Sequence, residues 1–393
     1  MQNKMTEGNV IRALAAFTVP LILSGLFQQL FNWVDAFIVG NVEGETALAG
    51  IGATTSVYNL FVTVITGFTS GLSVLAAQRY GMGEKSKIRE LLSSYTVLFA
   101  FLFTMLSIAG AVFTEELLVV LDTPETILFS AQSYLKILFA GIPFLAVYNT
   151  YSAVLRGIGN SSAPFFSILV CSAVNVVLDL LFVAGMGYGA AGAAAATAIS
   201  QAAMAVYVIV YTVRKYPFLR FSFSGNLPDK TVWKSGAAYG LPSAVQSGVS
   251  SAGNIYLQQF MNGFGEQTVA AITTAYRVDT VIFLPIINFG SGIATVVAQN
   301  IGAGKPERAK QVFRAISRFY MIYGISMAVR GCLEGRGDML FSGIAGILSL
   351  GVRILCSYAF KPVFGNMVVA YAEAFSWIFL LAVLLLRYVV KTR

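Results

Sequence analysis

Residues 171–183 read CSAVNVVLDLLFV. Its two strongly polar side chains, Asn175 and Asp179, stand four positions apart and therefore on one face of a helix. Apolar neighbours on both sides lengthen the segment to the roughly 20 residues that cross a bilayer. A carboxylate in such a segment costs roughly 3 kcal/mol or more unless it faces a cavity, a partner or an ion. The stretch therefore reads as a membrane helix, and Asp179 needs a reason to be in it.

The whole chain has the same character. Of its 393 residues, 57% are apolar and only 11% are charged, too few to cover the surface of a soluble protein of this size. The net charge of +8 does not point to nucleic acid, because Lys and Arg gather in short loops, where they act as orientation signals. Cys171, Cys332 and Cys356 show neither pairing nor metal spacing and read as packing residues. There is no histidine, which removes imidazole catalysis and His–metal sites. The N-terminal apolar run continues to about Val39, so it reads as a first membrane helix and not as a cleaved signal.

Spans are expected at about 14–39, 50–77, 92–113, 128–153, 163–185 and 190–213. Loops after even-numbered spans are basic, with Arg79, Lys85, Lys87 and Arg89 after the second. Loops after odd-numbered spans are acidic or neutral, with Glu115, Glu116, Asp122 and Glu125 after the third. This alternation places the N-terminus and the basic linker 214–234 in the cytoplasm.

After that linker the pattern starts again. SGIATVVAQNIGAGKPERAKQVF (291–313) parallels SGLSVLAAQRYGMGEKSKIRELL (70–92), and Gln299 stands 221 residues after Gln78. LEGRGDMLFSGI from Leu333 parallels LRGIGNSSAPFFSI from Leu155, but only 178 residues later. Such a repeat implies two homologous halves. The second is short by about 43 residues near 325–328, and the counterpart of the gap is about 106–148. The remaining apolar run Phe319–Val329 is too short to cross. Ten full spans are expected, with one irregular helix over about 306–330. Spans at about 340–360 and 366–388 return the C-terminus to the cytoplasm. The fold class is thus an all-α polytopic membrane protein of two helical bundles, nominally six plus six spans. The first bundle is 1–213, and the truncated second one is 235–393. The glycine turns Gly157-Ile-Gly159 and Gly335-Arg-Gly337 lack the GK[ST] of a phosphate loop and read as helix C-caps.

Depth sorts the acids that fall inside spans. Asp35 in span 1, Asp179 in span 5 and Thr197 in span 6 all lie roughly 10 Å below the outer surface, at 1.5 Å per residue. Tyr134 in span 4 is at a similar depth. With Asn175 they can form an oxygen-rich cavity. It could hold a proton between paired acids, coordinate a small hard cation or attract an organic cation. The plainer alternative is that each acid satisfies a neighbouring helix. In the repeat, Asn175 corresponds to Arg353, Asp179 to Ser357 and Asp35 to Leu257, so the scaffold itself does not require the acids. Glu373 is expected to pair with Arg353, and Asp279 has Arg277 nearby.

The duplicated spans, VDAFIVGNVEGETALAGIG (34–52), AQRYGMGEKSKIRELL (77–92) and NVVLD (175–179) together resemble the multidrug and toxic compound extrusion family, in its bacterial sodium- or proton-driven branch. The resemblance covers nearly the whole chain. It implies two six-helix lobes arranged in a V and an antiporter that exchanges Na⁺ or H⁺ for organic, often cationic, compounds by alternating access. It assigns ion binding to Asp35, Asn175, Asp179 and Thr197, with Tyr134 and Asn149 lining the same cavity. No cofactor beyond the coupling ion is implied. The expected setting is the plasma membrane, as a monomer without nucleic-acid partners. Two other readings stay open. One is a lipid-linked precursor flippase, which would be expected to carry basic residues where this cavity is acidic. The other is a deletion product that inserts without cycling. A membrane enzyme is disfavoured, since no nucleophile–base pair or metal motif is present.

Overall fold

The computed structural model describes residues 5–120, 123–221, 230–264, 266–316 and 322–392. Among them there are helices and no strands. The first bundle consists of α1 (Val10–Glu43), α2 (Glu45–Gly81), α3 (Lys85–Val112), the short α4 (Thr114–Val120), α5 (Glu125–Gly157), α6 (Ser162–Asp179) and α7 (Gly189–Lys215). The second consists of α8 (Lys230–Asn262), α9 (Glu266–Gly302), α10 (Pro306–Ile316), α11 (Ile322–Gly335), α12 (Met339–Phe364) and α13 (Val368–Thr392). In the membrane every backbone polar group must be satisfied within its own segment, so apolar runs of this length form helices. Nine described stretches are both long and apolar enough to cross. The tenth long helix, α8, carries Ser243, Gln246, Ser247, Ser250, Ser251 and Asn254. It packs against α2 and α12, which gives its polar residues protein neighbours.

Of the expected irregular helix over about 306–330, the described parts are helical. α10 ends at Ile316 and α11 begins at Ile322, with 317–321 outside the described residues. α10 is amphipathic, with Glu307, Arg308, Lys310 and Arg314 interleaved with apolar positions, as suits a helix at the membrane surface. α11 has 14 residues where α5 has 33. It packs against α9 as α5 packs against α2.

Both repeat offsets reappear as contacts. A Cβ on Gly157 would meet Ser73 O at 2.8 Å and Ala76 Cβ at 2.7 Å. One on Gly335 would meet Ala294 O at 2.6 Å and Val297 Cβ at 2.8 Å, the same three positions in the second copy. The two glycine turns match as well. Asn160 N donates to Leu155 O at 2.8 Å and Asp338 N to Leu333 O at 3.0 Å. Gly159 and Gly337 hold φ of 91° and 89°, where a side chain would be strained. These are C-caps, as the sequence implied.

Helices α2 and α9 end side by side at the end of the molecule that carries the basic loops. There the bundles clasp each other reciprocally. Gln78 Nε2 donates to Gly335 O at 2.9 Å, and Gln299 Nε2 donates to Gly157 O at 2.6 Å. Tyr239 donates its hydroxyl to Gln78 Oε1 at 2.7 Å. Both glutamines are buried. A methyl on Gly81 would overlap the Gln299 carbonyl, and one on Gly302 would overlap that of Gln78. Nearby, Lys87 and Arg79 flank Glu84 at 2.6 and 2.8 Å and hold its carboxyl below the usual range.

The base of α1 crosses between bundles. Met5, Leu14, Phe17 and Leu21 are buried in a core with Ile293, Val297, Val329, Leu333 and Leu384 of the second bundle. Backbone oxygens of the preceding arm accept from Lys305 (Thr6 O, 3.0 Å) and Arg308 (Glu7 O, 2.7 Å). The far half of α1 instead packs on α6 and α7.

Candidate functional site

The first bundle encloses a cavity of about 920 Å³. Every residue lining it comes from α1, α2, α5, α6 or α7. Asp35, Tyr134 and Thr197 are on its wall. Asn175 and Asp179 lie behind that wall, with no exposed surface. The carboxyl groups of Asp35 and Asp179 are within hydrogen-bonding reach of each other. Asn175 Nδ2 points to Thr197 Oγ1 at 3.4 Å. The structure therefore brings Asp35, Asn175, Asp179, Thr197 and Tyr134 into one neighbourhood.

Asn149 is not part of it. The side chain is buried, donates Nδ2 to Leu145 O at 2.9 Å and does not line the cavity. It stands 15 residues beyond Tyr134 along α5, about 22 Å at 1.5 Å per residue. Its expected place in the cavity is corrected accordingly.

Local sequence explains the close approach of these helices. α7 opens GAAGAAAATAIS, and its small residues let α6 come near. Gly192 faces Phe182, whose Cβ would lie 3.1 Å from an added Cβ. Directly after Asp179 the helix widens into a π-helical stretch, Leu180–Gly185. Such π turns are rare and recur at functional sites. Toward the end away from the basic loops, Ile38, Val39, Val183, Ala190, Ala193 and Ala194 close over the acids as an apolar cap, with Tyr134 beneath.

The chemistry of the site lies in what its oxygens lack. Asp35 Oδ1, Asn175 Oδ1 and both carboxyl oxygens of Asp179 are buried without a hydrogen-bond donor. Donor-less buried acceptors are rare and costly. Several converging acceptors, two of them from acids, suit a proton or a small hard cation. Among the described residues no group of three or more His, Cys, Asp or Glu forms a metal cluster, so a cation here would depend on neutral oxygens as well.

Two participants carried no sequence signal of their own. Gln201 donates to the Tyr58 hydroxyl at 2.5 Å, and both line the cavity. Gln201 lies four residues after Thr197, on the same helix face, and that spacing was the available clue.

At the matching place in the second bundle, Arg353 and Glu373 form an ion pair of 3.2 Å between α12 and α13, as expected from sequence. The side chains of Asp279 and Arg277 lie outside the described residues.

Two helical bundles duplicated in sequence, joined at one end and holding an acid pair beneath a cavity in one of them, make up a multi-pass membrane transporter. The chain belongs to the MatE family, whose model matches residues 20–181 and 242–317. It is similar to the probable multidrug resistance protein YpnP of Bacillus subtilis (strain 168), at 30% identity over 306 residues, covering 77% of this chain and 68% of that one. It is likewise 30% identical over 332 residues to the probable multidrug resistance protein YoeA of the same organism, covering 82% and 71%. A crystal structure of MATE in the bent conformation has the same fold, with a TM-score of 0.90, 20% identity, and coverage of 99% of this chain and 97% of that one.

Proposed function

We propose that this transporter is a multidrug efflux antiporter that exchanges Na⁺ or H⁺ for organic, often cationic, compounds. The observation that carries the reading is the cluster of donor-less oxygens of Asp35, Asn175 and Asp179 at the first-bundle cavity. Asp35 and Asp179 would share the ion. Asn175 and Thr197 would supply neutral oxygens, and Tyr134 would close the wall.

The charge rule puts the basic end in the cytoplasm of the plasma membrane. On that reading the glutamine clasp closes the cytoplasmic side, and the ion enters through the cavity from outside. α1 supplies the link to the lobes. From Leu14 in the second-bundle core to Asp35 it runs about 32 Å at 1.5 Å per residue. An ion held between Asp35 on α1 and Asp179 on α6 favours whichever lobe arrangement brings those helices together. It can shift the equilibrium only by its difference in affinity for the two arrangements.

The test uses proteoliposomes loaded with a fluorescent organic cation under an imposed Na⁺ or H⁺ gradient. Gradient-driven transport is expected in the native chain and lost in Asp35→Asn and Asp179→Asn. Transport that ignores both substitutions would overturn the mechanism.

A second reading is favoured by one observation, the 14 residues of α11 against the 33 of α5. On it, the chain inserts and binds the ion but does not cycle. Lengthening α11 with the counterpart of 106–148 distinguishes the two, since transport that appears only in the lengthened chain supports this reading.

A further inference from the structure

A groove of about 730 Å³ runs along the seam between the bundles on the membrane-facing side of α3 and α8. Phe68 of α2 and Tyr95, Phe99 and Phe103 of α3 form one wall; Trp233 and Leu241 of α8 form the other. Its floor is an inter-bundle contact. The Tyr95 hydroxyl donates to Trp233 O at 2.8 Å, and their rings meet at a tilt of 48° with centroids 5.3 Å apart. Gly236 and Gly240 make this approach possible, because a methyl on either would overlap the ring of Tyr95 or Phe68.

The groove is apolar along its length and charged at one mouth. Lys230 and Lys234 stand there, four apart on α8 and both exposed. Among the described residues neither lysine meets a carboxylate. From Lys230 to Ala244 the groove follows α8 for about 21 Å, which is the hydrocarbon depth of one leaflet, about 15 Å, plus part of the headgroup zone. An apolar slot of leaflet depth with two ammonium groups at headgroup level fits one occupant by shape and by charge.

We propose that an acidic phospholipid of the leaflet at the basic end occupies this groove, with its acyl chain against the aromatic wall and its phosphate between Lys230 and Lys234. The site is made by both bundles, so it is complete only while they meet at that end. A bound lipid therefore favours the arrangement closed there, for the same linkage reason as any ligand of one state. This rests on the two-state reading above for its consequence, though not for the binding itself.

The test reconstitutes the full chain in nanodiscs of phosphatidylcholine alone or with phosphatidylglycerol. Native mass spectrometry reads the retained lipid. Spin labels at Ser86 and Gln311, with the native cysteines replaced, read the separation of the bundles at the basic end. Phosphatidylglycerol is expected to be retained in preference and to raise the short-distance population. K230Q/K234Q should lower that retention at least about fivefold, the effect of one surface cation near an anionic headgroup. A237F should fill the groove and abolish retention with the lysines intact. Equal retention in K230Q/K234Q would overturn the proposal, whereas a distance distribution indifferent to lipid composition, with selective retention intact, would overturn only its conformational consequence. The same shift produced by soluble glycerol phosphate would replace the lipid with a free anion. None of these readouts needs transport, so they stand apart from the fate of the ion-coupling mechanism.

Discussion

The two bundles put opposite chemistry in equivalent places. On α6 and α7 of the first, Asn175, Asp179 and Thr197 gather with Asp35 around oxygens that lack donors. On α12 and α13 of the second, Arg353 stands where Asn175 does, and Ser357 stands where Asp179 does. There Arg353 pairs with Glu373 at 3.2 Å, and the Ser357 hydroxyl donates to Arg353 O at 2.8 Å. The second bundle thus fills the position with a side-chain cation, while the first leaves its carboxyl oxygens without a donor. A duplicated scaffold tolerates either solution.

Breaking each site should give different kinds of damage. The largest effect is expected for Asp179→Asn, which should reduce ion-driven efflux in proteoliposomes to the level of protein-free vesicles. The Arg353→Met/Glu373→Met double substitution should stay within about twofold of the native rate, because a buried ion pair replaced by apolar residues of similar size is often neutral. Glu373→Gln alone is a sharper probe of the second bundle. It removes the negative partner of a guanidinium inside the membrane and should cost up to about 3–5 kcal/mol, read as a lower midpoint in thermal unfolding of the detergent-solubilised protein.

The clasp tests the symmetry on which the comparison depends. Gly81→Ala and Gly302→Ala each place a methyl on the opposite bundle's backbone, and both should open the basic end to cysteine-directed reagents. Gln299→Ala removes one hydrogen bond, worth about 1 kcal/mol, or roughly a fivefold shift in the open population, and Gln78→Ala removes two. Gln78→Ala is therefore expected to open the basic end more than Gln299→Ala; equal effects would show that the Tyr239 bond adds nothing to the clasp.

Thr197→Val is expected to have the smallest effect. It removes one neutral oxygen and keeps the shape of the side chain. Half-saturating Na⁺ should rise on the order of a few-fold, as for one lost neutral ligand, while half-saturating H⁺ should hold steady, because a proton needs only the carboxylates. Ion-dependence curves of efflux at fixed drug concentration separate the two.

Much of this could be read along the chain. The Asn175/Asp179 face, the depth match with Asp35 and Thr197, and the Arg353–Glu373 pair all follow from helical spacing and the cost of charge in lipid. The repeat offsets survive as atomic contacts at Gly157 and Gly335. Other features were illegible for a physical reason. Asn149 lies on the right helix but about four turns from the site, so membership of α5 did not decide its neighbours. Gln78 and Gln299 stood out only as matched letters. That each caps a helix of the other bundle depends on partners 257 and 142 residues away.

The sequence by itself determined that the chain lies in a membrane as two related sets of helices, with the Asp35 and Asp179 carboxylates in the first set and without counterparts in the second. Hydrocarbon leaves the backbone no other way to satisfy its hydrogen bonds, and it permits buried charge only at a cost that marks each instance. Only the tertiary structure decided that α1 is shared between both cores, that Asp35 and Asp179 meet, and that the bundles lock through glutamines at one end. Those are contacts between helices, and helical periodicity fixes which face a residue occupies but not which helix that face will meet.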